Sequence, residues 1–201
     1  MAARKRGRPT SRPRKQFARR ILVVTEGLQT EPQYVEGLDR YLRSTGATAV
    51  VKSVAVGKDP MKVVRKCIDI RDDAANVGKG YDACVCLVDV DEHEALPAAC
   101  QLASRESILV LVSNLKFETW LRWHAEDKRS ALSTTQLDGL IAKLGLVTRK
   151  MLARNFPFHA VHEACEIARR ADPDLGPGRI GPDPSSAMPV LVDLMSGRRH
   201  E

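Results

Sequence analysis

The chain has 201 residues, enough for one substantial domain with a buried core and cramped for two. Its 43% hydrophobic and 28% charged residues are ordinary for a globular protein, and no apolar run approaches the roughly 18 residues of a membrane span. The net charge of +7 belongs to the first 20 residues, which hold nine Lys/Arg and no acid; the remainder carries 23 basic against 25 acidic residues, so the body of the chain is near neutral to slightly acidic.

No apolar segment directly behind the basic N-terminus resembles a signal peptide. The five cysteines are odd in number and irregular in spacing, and no zinc-type CxxC pair occurs. They fit free core thiols in a reducing cytoplasm, so a cytoplasmic location is expected.

Residues 1–20 read as a disordered arm of one charge sign. Arg4, Lys5, Arg6, Arg8, Arg12, Arg14 and Lys15 are its candidate nucleic-acid contacts. Lys5-Arg6-Gly7-Arg8-Pro9 resembles an AT-hook, which lies in the narrow minor groove of A·T-rich DNA. Nonspecific attraction to DNA or RNA by counterion release serves the same residues, as does a tail with no partner.

Ile21-Leu22-Val23-Val24-Thr25 reads as a strand buried on both faces, halted by Glu26-Gly27. Thr30 suits a helix N-cap with Gln33 as its reciprocal partner and Pro32 in the first turn. Tyr34, Leu38, Tyr41 and Leu42 continue an amphipathic helix that Gly46 ends. Ala49–Val56 is a second strand. Asp59 caps the next helix, Pro60 opens it, and Val63, Val64, Cys67 and Ile68 line it.

Asp82–Val88 is a third strand, in which Cys84 and Cys86 share one face, and it runs into Asp89-Val90-Asp91-Glu92-His93. A helix through Leu96, Ala99 and Leu102 follows, then a fourth strand over Ile108–Val112, then a helix from about Phe117 to Asp127. This alternation predicts a parallel sheet with right-handed crossovers. The last third is mostly helical, with Leu137, Leu140, Ile141 and Leu144 on one helix and Val161, Ala164, Cys165 and Ala168 on another. Asp172–Ser186, rich in Pro and Gly, reads as an exposed loop before a short closing helix through Val190, Leu191, Leu194 and Met195.

Two strand ends therefore present acids: Glu26 after the first, Asp89 and Asp91 after the third. Residues two apart in an extended segment point to the same side, so Asp89 and Asp91 can converge. If the first and third strands are neighbours, three carboxylates meet at the carboxyl edge of the sheet, where ligands bind in open α/β folds. Their mutual repulsion is resolved by a hard divalent cation such as Mg²⁺ or Mn²⁺, with a nucleic-acid phosphate completing its ligands. Solvated loop acids are the bland alternative.

Phe117, Trp120, Leu121 and His124 share one helix face and read as core. Glu118 lies off that face and either aims at the crevice or pairs with Arg122 at i+4. His93 is placed to hold a substrate phosphate or act as an acid. His159, His162 and Cys165 drift around a helix and do not make a metal site. Ser185 and Ser186 suit a helix cap better than a nucleophile.

Glu-Gly after the first strand and Asp-x-Asp after the third resemble the Toprim fold. A narrower likeness over residues 21–195 is carried by Glu26-Gly27, Thr30-Glu31-Pro32, Tyr34, Asp89-Val90-Asp91-Glu92-His93, Ser113-Asn114, Phe117-Glu118, Trp120-Leu121, His124 and Asp183-Pro184-Ser185-Ser186. In these the chain resembles the RloB-like family, which includes AbiLii-type abortive-infection proteins found at restriction loci, often beside an ABC-type ATPase. It departs from the family at Leu115-Lys116, where Pro-Cys is usual, and at Asp183 and Ser186, where Asn and Thr are usual.

The resemblance implies an α/β, Toprim-like parallel four-stranded sheet flanked by helices. Residues 1–20 would be the arm, 21–130 the Toprim-like core, and 131–201 a helical C-terminal extension packed on it. It further implies a Mg²⁺-dependent nuclease acting on RNA such as tRNA, or on DNA, in antiphage defence. Glu26, Glu118 and His93 would be catalytic, and Glu26, Asp89 and Asp91 would hold metal; Glu31 is the nearest candidate for the further acid that many Toprim nucleases carry. The alternative is a noncatalytic nucleic-acid-binding or regulatory partner of an ABC-type ATPase. No membrane association is expected, and homo-oligomerisation is left open.

Overall fold

The computed structural model describes residues 18–57, 59–90 and 94–197. In chain order the elements are β1 (Arg20–Thr25), α1 (Thr30–Ser44), β2 (Val50–Ala55), α2 (Pro60–Asn76), β3 (Ala83–Asp89), α3 (Leu96–Arg105), β4 (Leu109–Asn114) and α4 (Glu118–Arg122). After these come α5 (Thr134–Lys143), β5 (Val147–Thr148), β6 (Met151–Leu152), α6 (Val161–Ala171), β7 (Ser185–Ser186) and α7 (Met188–Ser196).

The main sheet has five strands in the order β2-β1-β3-β4-β7. The first four run parallel, as the alternation of strands and helices requires. The fifth, β7, adds to β4 in the antiparallel sense, with Ser113 opposite Ser186 and Asn114 opposite Ser185. It was expected as exposed loop. Instead Asp172, Ser185 and Ser186 are buried, and the Ser113 and Ser186 hydroxyls bond to each other at 2.9 Å.

The period-two pattern of the strands divides the core into two layers. Ile21, Val23, Val85, Leu87 and Leu111 pack against α1, α4, α6 and α7. Leu22, Val24, Cys84, Cys86, Val88, Val110 and Val112 pack against α2 and α3. Both faces of β1 and β3 are covered, which is why both read as continuous apolar runs. None of the five cysteines is in a disulfide.

The chain leaves β1 toward β2 on one side and returns to β3 on the other. The strand order thus reverses between β1 and β3, where an open α/β sheet leaves a crevice at its carboxyl edge. Thr25 lies opposite Leu87, and the Glu26 N–H donates to the Leu87 carbonyl at 3.0 Å, so both strands end at the same level.

Two helix starts differ in how they are made. Asp59 caps α2 as expected, its carboxylate accepting from the Met61 N–H at 2.9 Å, with Pro60 in the first turn. Thr30 does not cap α1; it is already helical, and its hydroxyl donates to the Lys150 carbonyl at 3.1 Å. Gln33 accepts from the Leu152 N–H at 2.9 Å instead of closing a capping box. The β5–β6 hairpin lies over the start of α1 and competes successfully for both side chains. The helix expected to reach Asp127 is also shorter: α4 ends at Arg122, whose buried guanidinium turns to Glu126 at 2.7 Å and to the Ser130 carbonyl at 3.0 Å.

Candidate active site

A cleft of ≈480 Å³ opens at the carboxyl ends of β1 and β3. Four carboxylates line it: Glu26 from the end of β1, Glu31 from the first turn of α1, Asp89 from the end of β3 and Glu118 from the start of α4. The Asp89 N–H donates to Glu26 Oε2 at 3.3 Å, which ties the two strand ends together. Lys116 and Lys150 are the cations lining the cleft, with Gly27, Gly57 and Thr134 among the other walls.

Gly27 shapes the floor. A Cβ there would fall on the Glu31 carboxylate, so the absent side chain is what lets Glu31 fold back over the Glu-Gly turn. Burial raises the Glu31 carboxyl above its ordinary range. The N–H groups of Glu31 and Gly27 oppose this, while the charges of Glu118 and Glu26 add to it.

Asp89 is raised well above the usual carboxylate range. Burial is the main cause, followed by the charges of Glu31 and Glu118, with Glu26 adding to them. A hydrogen bond from the Phe117 backbone partly offsets this. Lys116 is pulled down by burial, but its 2.6 Å bond to Asp138 and the charges of Glu118, Asp138 and Asp89 outweigh that and raise it. Its ammonium also stands 3.7 Å from Glu118 Oε2.

A family model, that of the RloB-like proteins, matches residues 21–195. The chain belongs to the RloB-like family. No curated protein and no solved structure matches it significantly.

Within this RloB-like protein the structure brings together Glu26, Asp89 and Glu118 of the sequence-derived site residues. Asp91 and His93 lie outside the described residues, as do Arg4, Lys5, Arg6, Arg8, Arg12, Arg14 and Lys15 of the arm. Glu118 faces the cleft and Lys116, while Arg122 takes Glu126, so the i+4 pairing does not form.

His124 belongs to the core, as its helix face suggests. The Trp120 carbonyl, 3.2 Å away, can only accept, so Nδ1 carries the proton and Nε2 accepts from the Tyr34 hydroxyl at 3.1 Å. Burial, with a smaller push from His159 and against the opposing Trp120 bond, lowers its pKa to about 3.

Lys116 and Lys150 line the cleft without having been singled out as site residues in the sequence, and Glu31, the nearest candidate there for a further acid, lines it with them. Glu31 was visible as an acid close behind Glu-Gly. Lys150 is 120 residues from Thr30, which it meets only through the fold.

The donor chemistry suits a hard divalent cation. Four carboxylates line one cleft, and two of them, Glu31 and Asp89, are raised by burial and by the charges of neighbouring acids, an imbalance that a cation relieves. Among the described residues no group of three or more His, Cys, Asp or Glu side chains is drawn together tightly enough to hold an ion by itself. Mg²⁺ does not require one, since it commonly takes one or two carboxylates and completes its shell with water and substrate phosphates. Among the described residues, no helix is long and apolar enough to cross a membrane.

Proposed function

We propose that this RloB-like protein is a Mg²⁺- or Mn²⁺-dependent nuclease of antiphage defence, hydrolysing phosphodiester bonds of RNA or DNA in the cleft between β1 and β3. The observation that carries this reading is the meeting of Glu26, Glu31, Asp89 and Glu118 in one crevice at the sheet's switch point. The Toprim resemblance of the Glu-Gly and Asp-x-Asp strand ends supports the same chemistry.

Glu26 and Asp89 would hold the metal, with Asp91, which follows β3 in the sequence, as a third ligand. The chemistry such an ion would supply when bound is Lewis-acid polarisation of the phosphoryl group. Glu26 takes the proton of the attacking water through its carboxylate, and the Asp89 N–H at Oε2 keeps that carboxylate aimed along the strand ends. Asp138 and Glu118 together hold the Lys116 ammonium at the wall of the cleft, where it would offset phosphate charge that the four acids otherwise repel. From its place in the sequence close behind Asp-x-Asp, His93 would hold a substrate phosphate or act as an acid, and the basic arm would recruit the polyanion from solution.

The test is incubation of the purified chain with labelled tRNA and duplex DNA, in Mg²⁺, Mn²⁺ or EDTA. Metal-dependent cleavage that disappears in the Glu26→Gln, Asp89→Asn double variant is the expected result. Cleavage that persists in that variant overturns the site. Binding without cleavage in every condition, including with an ABC-type ATPase partner and ATP, favours the noncatalytic role.

A further inference from the structure

The β5–β6 hairpin has Val147 opposite Leu152 and Thr148 opposite Met151, so Arg149 and Lys150 are its two loop residues. Both have left-handed backbone, with φ of 50° and 63°. A two-residue hairpin demands that conformation, and Asn-Gly adopts it with least strain. Arg and Lys bear a steric cost there, and such strain persists where it holds side chains in a working position.

The position is fixed. Thr30 Oγ1 holds the Lys150 carbonyl at 3.1 Å, and Gln33 accepts from the Leu152 N–H at 2.9 Å. Lys150 lines the acidic cleft on one side of the hairpin. On the other side a second groove runs along α1, lined by Arg40, Tyr41, Arg154, Phe158 and His159, with Glu36 as its acid. Arg40, Arg149, Lys150 and Arg154 are all exposed, and none enters an ion pair among the described residues. From Thr30 to Arg40 the helix rises about 15 Å, room for a few nucleotides.

We propose that the Arg149-Lys150 turn and this groove form a docking track for a single polynucleotide strand, which carries one phosphate into the acidic cleft. The inference rests on the cleft being the phosphodiester site. Its carboxylates repel a polyanion, and besides Lys116 the cations that offset them stand on the hairpin and along α1. The half-buried rings of Tyr41 and Phe158 offer stacking faces for unpaired bases, which a duplex keeps turned inward.

The experiment is fluorescence anisotropy with the full chain in EDTA, so that no cleavage intervenes. The probes are oligo-U, oligo-dT and a duplex, each about 12 nucleotides or base pairs long, titrated at salt from about 50 to 200 mM. The Arg149→Asn, Lys150→Gly double variant restores the unstrained turn while deleting both charges, so its Tm stays at or above that of the parent. It binds either single strand several-fold more weakly, and the slope of log K against log salt falls by about 1.4, at roughly 0.7 per phosphate contact. Arg154→Gln, across the hairpin, lowers the slope by about 0.7. The tighter of the two single strands identifies the sugar.

Unchanged affinity and slope in both variants overturn the track. So does a duplex that binds as tightly as the single strands with the same losses. Because docking is read without chemistry, strands that dock by these residues yet are never cleaved leave the track standing and remove the nuclease reading. Cleavage lost in Glu26→Gln, Asp89→Asn while the hairpin variants bind like the parent does the reverse.

Discussion

His124 couples the stability of this fold to pH in a way that can be measured separately from the cleft. It is 5% exposed, and its pKa falls from 6.5 to about 3 on folding. The native state therefore excludes a proton that the unfolded chain accepts below pH 6.5. Its contribution is fully present above the unfolded value and is lost as pH falls toward the folded one. At about 1.36 kcal/mol per pH unit, roughly 0.8 kcal/mol is lost by about pH 6 and about 2 kcal/mol by about pH 5.

The perturbation is His124→Gln. Glutamine retains a donor for the Trp120 carbonyl and an acceptor for the Tyr34 hydroxyl but does not titrate. It forfeits the ring's contacts with Trp120 and Phe156, whose centroids both lie 4.9 Å away, and is expected to cost about 1–3 kcal/mol at neutral pH. Urea unfolding of both proteins at pH 7.5, 6 and 5 then gives the difference as a function of pH. It should shrink by about 2 kcal/mol between the first and last values. The carboxylates titrate alike in both and drop out of the comparison. A difference that stays constant with pH would refute the buried neutral imidazole.

Three further outcomes follow from the geometry. Asp89→Asn removes a half-buried charge that the neighbouring acids oppose; because the native carboxyl is raised, its destabilisation appears as pH rises, so the variant should unfold at a higher temperature than the parent in neutral EDTA and converge with it in acid. Gly27→Ala drives the Glu31 carboxylate from its place over the Glu-Gly turn, and cleavage should fall while the far-ultraviolet circular dichroism stays that of the parent. Gly37→Ala places a methyl group from α1 into the ring of Phe158, in the 3₁₀ turn Phe158–Ala160 that precedes α6, and should cost about 1–3 kcal/mol in urea titration with no change in secondary structure.

Much of the framework was legible because its signals are local. Apolar runs over Ile21–Thr25 and Ala83–Val88 predicted strands with two covered faces, and the intervening helices forced parallel pairing. The placing of Glu26 and Asp89 at strand ends was equally local. What escaped was carried by contacts between distant segments. Ser185 and Ser186 have no apolar pattern, and they become a strand because β4 offers them an open edge. Thr30 and Gln33 have the chemistry of a capping box, yet a hairpin more than a hundred residues away claims both.

The same division runs through the site. The sequence alone determined the α/β order, the family, and the acids that close β1 and β3, because hydrophobic period and chain order are properties of neighbouring residues. Only the tertiary structure decided that β1 and β3 are adjacent, that Glu31 folds over Gly27 to join them, that Glu118 turns inward, and that Lys150 reaches the cleft from the far hairpin. Carboxylates repel and lysines attract according to distance in space, and those distances are set by the packing of α1 and α4 on the sheet.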